Sequence, residues 1–403
     1  MANIQSLRGM KDIIDKDSEL FTYFIDNCSR IVKKYGFSYI ETPILEETAL
    51  FKRSVGESSD IVSKEMYQFI DKGENDVCLR PEGTAGVVRW FVQNKKDKAG
   101  GINRVFYHGP MFRYERPQKG RLREFHQFGC ESFGEASVYE DANIILMIHE
   151  MLEFFGIGYK LQLNSLGCKE CMPDYRDNLV KHLNELVLCE DCNRRIETNP
   201  IRVLDCKNEN CQNQLSDAPK ITNSLCEVCD TDFEKLKSIL EQNGISYEID
   251  SNLVRGLDYY TKTAFEFVSD NIGAQSAIAG GGRYDRLVEF LGGKATPAVG
   301  FAIGIERLLE LIIKKEEKED TLYIGAMSED AVDTVFSLVN KKRSSTKVIT
   351  DYKKRSFSKH LNNASKQGAT KVALIGENEL KENTIWVKDL TTQEEATLNI
   401  AEF

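Results

Sequence analysis

The chain has 403 residues, 41% hydrophobic and 29% charged, an ordinary soluble globular balance with room for two or three domains. Its formal net charge of -10 excludes a global positive field that would draw in nucleic acid, so any RNA must find local basic patches. The first ten residues contain no apolar targeting core, and the longest apolar stretch, Ile144 to Phe155, is broken by His149, Glu150 and Glu153, so neither secretion nor membrane insertion is expected. Eleven cysteines without an export signal point to reduced thiols or metal ligands in a cytoplasmic protein.

Between Glu19 and Lys34, Leu20, Phe21, Phe24, Ile25, Cys28, Ile31 and Val32 recur at helical spacing, with Asp17 as candidate N-cap and Gly36 as the stop. Phe37 to Ile40 reads as a strand, and Pro43 after it marks an edge or an interface. Glu65 to Ile70 alternates like a strand and turns at Gly73 into Val77 to Gly86. There Glu82 and Thr84 put a carboxylate and a hydroxyl on one face just before a helix near Ala85, with Thr84 as its expected cap.

From Arg104 to Gly134 the pattern is a long antiparallel hairpin turning through Pro117-Gln118-Lys119-Gly120. Its loop carries Arg113, Arg116, Lys119, Arg121 and Arg123, with Glu115 and Glu124 among them. Charge alone favours a solvated hairpin. Planar guanidiniums on facing strands can equally grip a polyphosphate. A further helical stripe covers Ile144 to Phe155, and a strand covers Lys160 to Leu163.

The composition changes at Gly167. Cys168 and Cys171, Cys189 and Cys192, Cys206 and Cys211, and Cys226 and Cys229 form four pairs, three of them C-x-x-C. Such pairs can supply one or two tetrahedral zinc sites or stand as reduced thiols of a helical insertion, and spacing leaves the pairing unassigned. No histidine joins them, so a catalytic metal is not expected.

Asp230 to Gln242 reads as a charged amphipathic helix, and the segment Leu253-Val254-Arg255-Gly256-Leu257-Asp258-Tyr259-Tyr260 precedes a strand at Ala264 to Val268. Gly280-Gly281-Gly282-Arg283-Tyr284-Asp285 is a glycine run expected as a connection between a strand (Ser276 to Ala279) and a helix (Leu287 to Leu291), where glycine permits close approach of a ligand. Ala298 to Leu308 reads as strand into helix. The charge run Lys314 to Glu319 is the expected linker. Beyond it, strands at Thr321 to Met327, Val348 to Thr350, Lys371 to Ile375 and Ile385 to Lys388 alternate with helices, giving a small α/β domain with a basic middle.

FRYERPQKGRLREFHQ and GIERL resemble the motif 2 hairpin and motif 3 of class II aminoacyl-tRNA synthetases, and LVRGLDYY and GGGRYD resemble segments of the histidyl-tRNA synthetases. The resemblance spans nearly the whole chain and implies an α+β fold. A class II catalytic domain, built on an antiparallel sheet flanked by helices, would carry a helical cysteine-rich insertion and end in an α/β anticodon-binding domain. The boundaries expected are 1–166 and 250–319 for the two catalytic parts, 167–249 for the insertion and 320–403 for the last domain.

The resemblance further implies a histidine–tRNA ligase acting as a homodimer on L-histidine, ATP with Mg2+, and tRNA, with structural Zn2+ left open. By matching position, Arg113, Glu115, Arg121 and Arg307 face ATP, while Arg255 and Arg113 are the catalytic cations. Glu82, Thr84, Gln127, Glu131, Arg255, Tyr259, Tyr260 and Tyr284 form the histidine pocket, and Arg116 and Gln118 meet the tRNA. Gln127 and Glu131 lie four apart on the returning strand and so share a face. The alternative is a synthetase-like regulatory subunit of ATP phosphoribosyltransferase, whose usual departures are lost ATP-site arginines and a missing anticodon domain.

Overall fold

A computed structural model describes residues 4–56, 59–118, 120–206, 208–254, 259–272, 277–313 and 320–403. They form two compact units that divide at 313/314.

In the first unit an eight-stranded sheet runs edge to edge through Ser38–Tyr39, Asn103–Phe112, Glu124–Phe133, Ala298–Gly304, Ala277–Arg283, Thr261–Val268, Lys160–Ser165 and Glu248–Ile249. Only the outermost pair at each edge is parallel, so the sheet is antiparallel throughout its middle. The expected hairpin is its spine, pairing Asn103 with Phe133 through to Phe112 with Glu124. Side chains alternate across the sheet. Phe106, Phe128 and Cys130 therefore face one side, where they join Phe24, Cys28, Ile31 and Val32 of the helix Asp15–Lys34, the helix Val138–Phe154 and Phe233, Leu236 and Leu240 of the helix Glu227–Gln242. Tyr107, Gln127 and Glu131 face the opposite side, towards the helix Thr84–Gln93.

Three local expectations are corrected. The first helix starts at Asp15, not Glu19, and Asp17 is already inside it, its N–H bonded to the Ile14 carbonyl at 3.1 Å. At its other end Gly36 adopts φ +81°, which suits a residue without Cβ, and the chain turns away there. The helix after Pro81 is capped by Glu82, not Thr84: the Glu82 carboxylate accepts the N–H groups of Thr84 at 2.7 Å and Ala85 at 2.9 Å. The glycine run is strand, not connection, because Gly281 and Gly282 lie where an added Cβ would strike the Gly300 and Thr263 carbonyls of the flanking strands.

Arg283, at the end of that strand, is buried on the far side from solvent and is nearly enclosed by carboxylates. Its Nε donates to both oxygens of Asp141, at 3.1 and 3.0 Å, and its Nη1 donates to the Glu135 carbonyl and to Asp285. Burial alone would lower its pKa, but Asp141 holds it above the ordinary value; burial in turn raises the Asp141 carboxyl, against the pull of Arg283. It pins the start of the helix Val138–Phe154 to the sheet.

The second unit is a five-stranded sheet ordered Lys347–Ile349, Thr321–Ala326, Lys371–Ile375, Thr384–Asp389, Glu395–Asn399, with Val332–Lys342 and Phe357–Lys366 as its longer helices. The last strand escapes a reading by hydrophobic alternation because all five of its residues are exposed. Among the described residues no helix is long and apolar enough to cross a membrane.

Breaking a buried pair leaves an uncompensated charge. Asp141→Ala should therefore destabilise the first unit by about 3 to 5 kcal/mol in urea unfolding, and a loss below about 1 kcal/mol would mean that Arg283 finds water or Asp285 instead.

Candidate active site

On the open face of the sheet, one cavity is lined by Glu82, Thr84, Arg113, Glu115, Arg121, Phe125, Gln127, Tyr259, Tyr260, Glu266, Glu306 and Arg307, with Gly280 as floor. Its two sides differ in charge.

The hairpin loop and the start of the helix Ile305–Leu309 bring Arg113, Arg121 and Arg307 together. Each is held by backbone or a carboxylate. Arg113 Nε donates to the Pro81 carbonyl at 2.9 Å, with its guanidinium 5.2 Å from the Phe125 ring centre. Arg307 Nε donates to the Gly120 carbonyl at 2.9 Å, and Arg121 pairs with Glu115. Burial first, then the like charge of Arg121, lowers the Arg307 pKa from its ordinary value; Glu115 opposes this and Arg113 adds to it. Three guanidiniums, with Glu115 paired to Arg121 and Glu306 engaged by His126, make a cradle for an anion with several oxygens. Glu306 aligns the helix start with the hairpin by accepting the His126 N–H at 3.0 Å and contacting its Nδ1 at 2.8 Å.

The opposite side is acidic and lies deeper. Glu131 is buried just behind the cavity wall, opposite Gly300 on the neighbouring strand, and receives the hydroxyls of Thr84 (2.8 Å), Tyr107 (3.3 Å) and Tyr284. Space for it is made by omission. A Cβ at Gly300 would collide with the Glu131 carboxylate, and one at Gly83 or Gly129 would collide with the Tyr107 ring. Burial pushes Glu131 up to about 8; the Tyr284 and Thr84 hydroxyls pull the other way, and the Glu82 carboxyl adds to the rise. Burial also raises Glu82, against the N–H groups that it caps. Tyr259 and Tyr260 stand with ring centres 4.7 Å apart, and Tyr259 lies 5.7 Å from Tyr284. The Gln127 side-chain carbonyl is buried in the wall with no partner among the described residues, the condition of a group that awaits a ligand donor.

The sequence-derived candidates thus separate into groups. Glu82, Thr84, Arg113, Glu115, Arg121, Gln127, Tyr259, Tyr260 and Arg307 line one cavity, while Glu131 and Tyr284 support its wall from behind. Arg116 and Gln118 are exposed on the hairpin loop outside it, Gln118 bordering a second cleft with Lys11, Asp17 and Phe21. Arg255 lies outside the described residues. Sequence reasoning missed Tyr107, taken as a plain strand residue, and Glu266 and Glu306. A glutamate between two phenylalanines, as at Phe265-Glu266-Phe267, is the kind of signal that finds such a residue, since it must face away from the core.

The eight cysteines of the insertion gather into two separate groups of four, Cys168, Cys171, Cys226 and Cys229, and Cys189, Cys192, Cys206 and Cys211. Either group could hold a metal ion.

A family model described as histidyl-tRNA synthetase matches residues 9–172 and 194–308, and one described as an anticodon-binding domain matches 321–403. The chain belongs to the histidyl-tRNA synthetase family. A histidine–tRNA ligase from Sulfurimonas denitrificans is 66% identical over 399 residues, 98% of each chain, and one from a Sulfurovum species is 61% identical over 401 residues, 99% of this chain and 100% of its own. The crystal structure of apo S. aureus histidyl-tRNA synthetase superposes with a TM-score of 0.84 at 35% identity, covering 99% of this chain and 98% of that one. The fold is accordingly the mixed α+β class II arrangement with a cysteine-rich insertion and a C-terminal α/β anticodon-binding domain. The stretch that the family model skips, 173–193, contains Cys189 and Cys192.

The raised Glu131 carboxyl has a signed effect on stability. Its folded pKa of about 8 exceeds the ordinary 4.5, so between these values the folded state keeps a proton that the unfolded chain has lost. Its contribution therefore falls as pH rises through that window and is flat above it. By calorimetry the melting temperature of the first unit should drop more from about pH 5 to pH 8 in the natural protein than in Glu131→Gln; parallel curves would mean that Glu131 is ionised throughout.

Proposed function

We infer that this chain is a histidine–tRNA ligase, which joins histidine to its tRNA at the expense of ATP. The observation that carries the reading is the two-sided cavity: an arginine cradle and a buried acidic wall meet within one pocket of a chain of this family. A match to an anticodon-binding domain over 321–403 and intact Arg113, Arg121 and Arg307 leave nothing in favour of a regulatory subunit.

In the proposed arrangement the histidine carboxylate attacks the α-phosphorus of ATP in line and pyrophosphate leaves. The 3'-terminal hydroxyl of the tRNA then attacks the carbonyl of the adenylate, forming the ester and releasing AMP. Arg113, Arg121 and Arg307 hold the triphosphate, Glu115 orients Arg121, and Arg255 and Arg113 are the catalytic cations that stabilise charge building on the α-phosphate. Glu82, Thr84, Gln127, Tyr259 and Tyr260 receive histidine, with Glu131 and Tyr284 setting their polarity. The Glu82 carboxyl, set in the cavity wall, supplies the oxygen acceptors that an ammonium needs. Magnesium enters with the ATP phosphates as part of the substrate, towards a pocket side that also carries Glu115, Glu266 and Glu306. Arg116 and Gln118, exposed on the loop, reach the tRNA acceptor end. The insertion's cysteines hold structural zinc with no part in the chemistry.

We assign 1–166 and 250–319 to catalysis, 167–249 to the insertion and 320–403 to anticodon binding, in a cytoplasmic homodimer. Leu45 and Phe69 are exposed on one face of the three-stranded sheet Leu45–Glu47, Asp76–Leu79, Tyr67–Ile70, apolar side chains suited to a second copy.

Pyrophosphate exchange measured across the twenty amino acids should respond to histidine alone. It should survive deletion of residues beyond 319, whereas tRNA charging should not. Arg255→Ala should slow adenylate formation by about a hundredfold or more, the cost of one preorganised donor. Exchange with another amino acid would overturn the substrate, equal charging by the shortened chain would overturn the domain assignment, and a loss under about tenfold would make Arg255 structural.

A further inference from the structure

We propose that the insertion holds two independent tetrathiolate zinc ions, one formed by Cys168, Cys171, Cys226 and Cys229 at its neck and one by Cys189, Cys192, Cys206 and Cys211 in its outer lobe. This rests on reading the insertion's cysteines as metal ligands and is independent of the reaction.

Geometry separates the two sets. Within each, all four sulfurs lie within 4.8 Å of one another. Cys168 Sγ is 3.8 Å from both Cys171 Sγ and Cys226 Sγ, and Cys189 Sγ is 3.8 Å from Cys206 Sγ. A tetrahedron with zinc–sulfur bonds of about 2.3 Å has sulfur–sulfur edges of about 3.8 Å. A disulfide would bring the atoms to about 2.05 Å, and all eight cysteines are free. The sulfurs are thus spaced to surround an ion and not to bond to each other.

A second observation points the same way. Backbone N–H groups are aimed at sulfurs in both sets: Glu170 at Cys168 (3.3 Å), Cys226 at Cys171 (3.2 Å), Cys189 at Cys211 (3.3 Å) and Asn208 at Cys206 (3.4 Å). Such donors stabilise thiolate charge, which neutral thiols would not call for. With no histidine, carboxylate or open position in either set, the sites are closed and structural.

The fold explains why two are needed. Cys168 and Cys171 follow the sheet strand Lys160–Ser165, and Cys226 and Cys229 begin the helix Glu227–Gln242 that returns to the sheet, so the neck ion closes the loop where the insertion leaves and rejoins the catalytic unit. Between them lies a lobe of 54 residues, 172–225, a size at which a hydrophobic core alone is marginal. Its core is largely Tyr175, Leu179, Leu183, Val203 and Leu204 packed on the cysteines themselves. The outer ion would tie that core from within. The same lobe presents Arg195, whose Nη2 lies 3.2 Å from Asp60, and the turn Ile61–Glu65 after Asp60 gives its Glu65 carbonyl to the Tyr114 N–H of the hairpin loop.

Metal analysis of the full chain, purified with zinc and freed of loosely bound ions, should give two zinc ions per chain. Cys229→Ser and Cys211→Ser should each retain one, and the double variant none. Because a variant can misfold, the natural chain stripped of metal should also be titrated with Co2+, its thiolate-to-cobalt absorption rising to a break at two equivalents. No bound metal with every cysteine of the insertion open to thiol reagents would overturn the metal reading altogether. A break at one equivalent, with metal present, would leave the metal reading standing and overturn the two-site pairing.

Discussion

A single buried carboxyl organises the site. Glu131 has no cationic side chain among its hydrogen-bond partners in the described residues; three hydroxyls, from Thr84, Tyr107 and Tyr284, surround it instead. These come from the segment after Pro81, the outgoing hairpin strand and the residue after the glycine strand, so satisfying one carboxyl draws three distant stretches to one point. The glycines at 83, 129 and 300 exist around it for the same reason, since side chains there would fill its space or that of Tyr107. Burying an acid this way costs stability. A chain keeps such a residue when a ligand gains from it.

The cavity divides its electrostatics along the same lines. Arg113, Arg121 and Arg307 gather at the side built by the hairpin loop and the helix Ile305–Leu309, interleaved with Glu115 and Glu306, while buried Glu82 stands at the start of the helix Thr84–Gln93 with Glu131 behind it on the returning hairpin strand. A substrate that is cationic at one end and joined to a polyphosphate at the other fits only one way round. The overall charge of -10 does not prevent this, because a few fixed, partly buried guanidiniums set the local potential.

Much of this was legible in the sequence, and the exceptions share causes. The hairpin, the amphipathic helices and the α/β character of the last domain follow from periodicity, which local packing enforces. Gly280 to Gly282 was misread as a connection because glycine signals a turn and a crowded strand centre equally, and only the neighbouring Gly300 and Thr263 carbonyls distinguish them. Glu82 and Thr84 exchange roles because Thr84 spends its hydroxyl on Glu131, a partner 47 residues away that no local pattern contains. The strand Glu395–Asn399 has no buried face to read. Cysteine spacing named the ligand candidates but not their grouping, since the pairing joins residues across 58 positions.

Whether the position of the Glu131 carboxyl decides histidine recognition is open to direct measurement. Gly300→Ala displaces that carboxylate without removing a charge, but its methyl also falls on the Cys130 carbonyl of the paired strand, so the variant is first shown to be folded by its melting temperature. In histidine-dependent pyrophosphate exchange, the variant should show a KM for histidine raised by about tenfold or more, a loss of about 1.4 kcal/mol, with the KM for ATP nearly unchanged. An unaltered histidine KM in a folded variant, or an equal rise for both substrates, would show that the Glu131 carboxyl does not set histidine recognition.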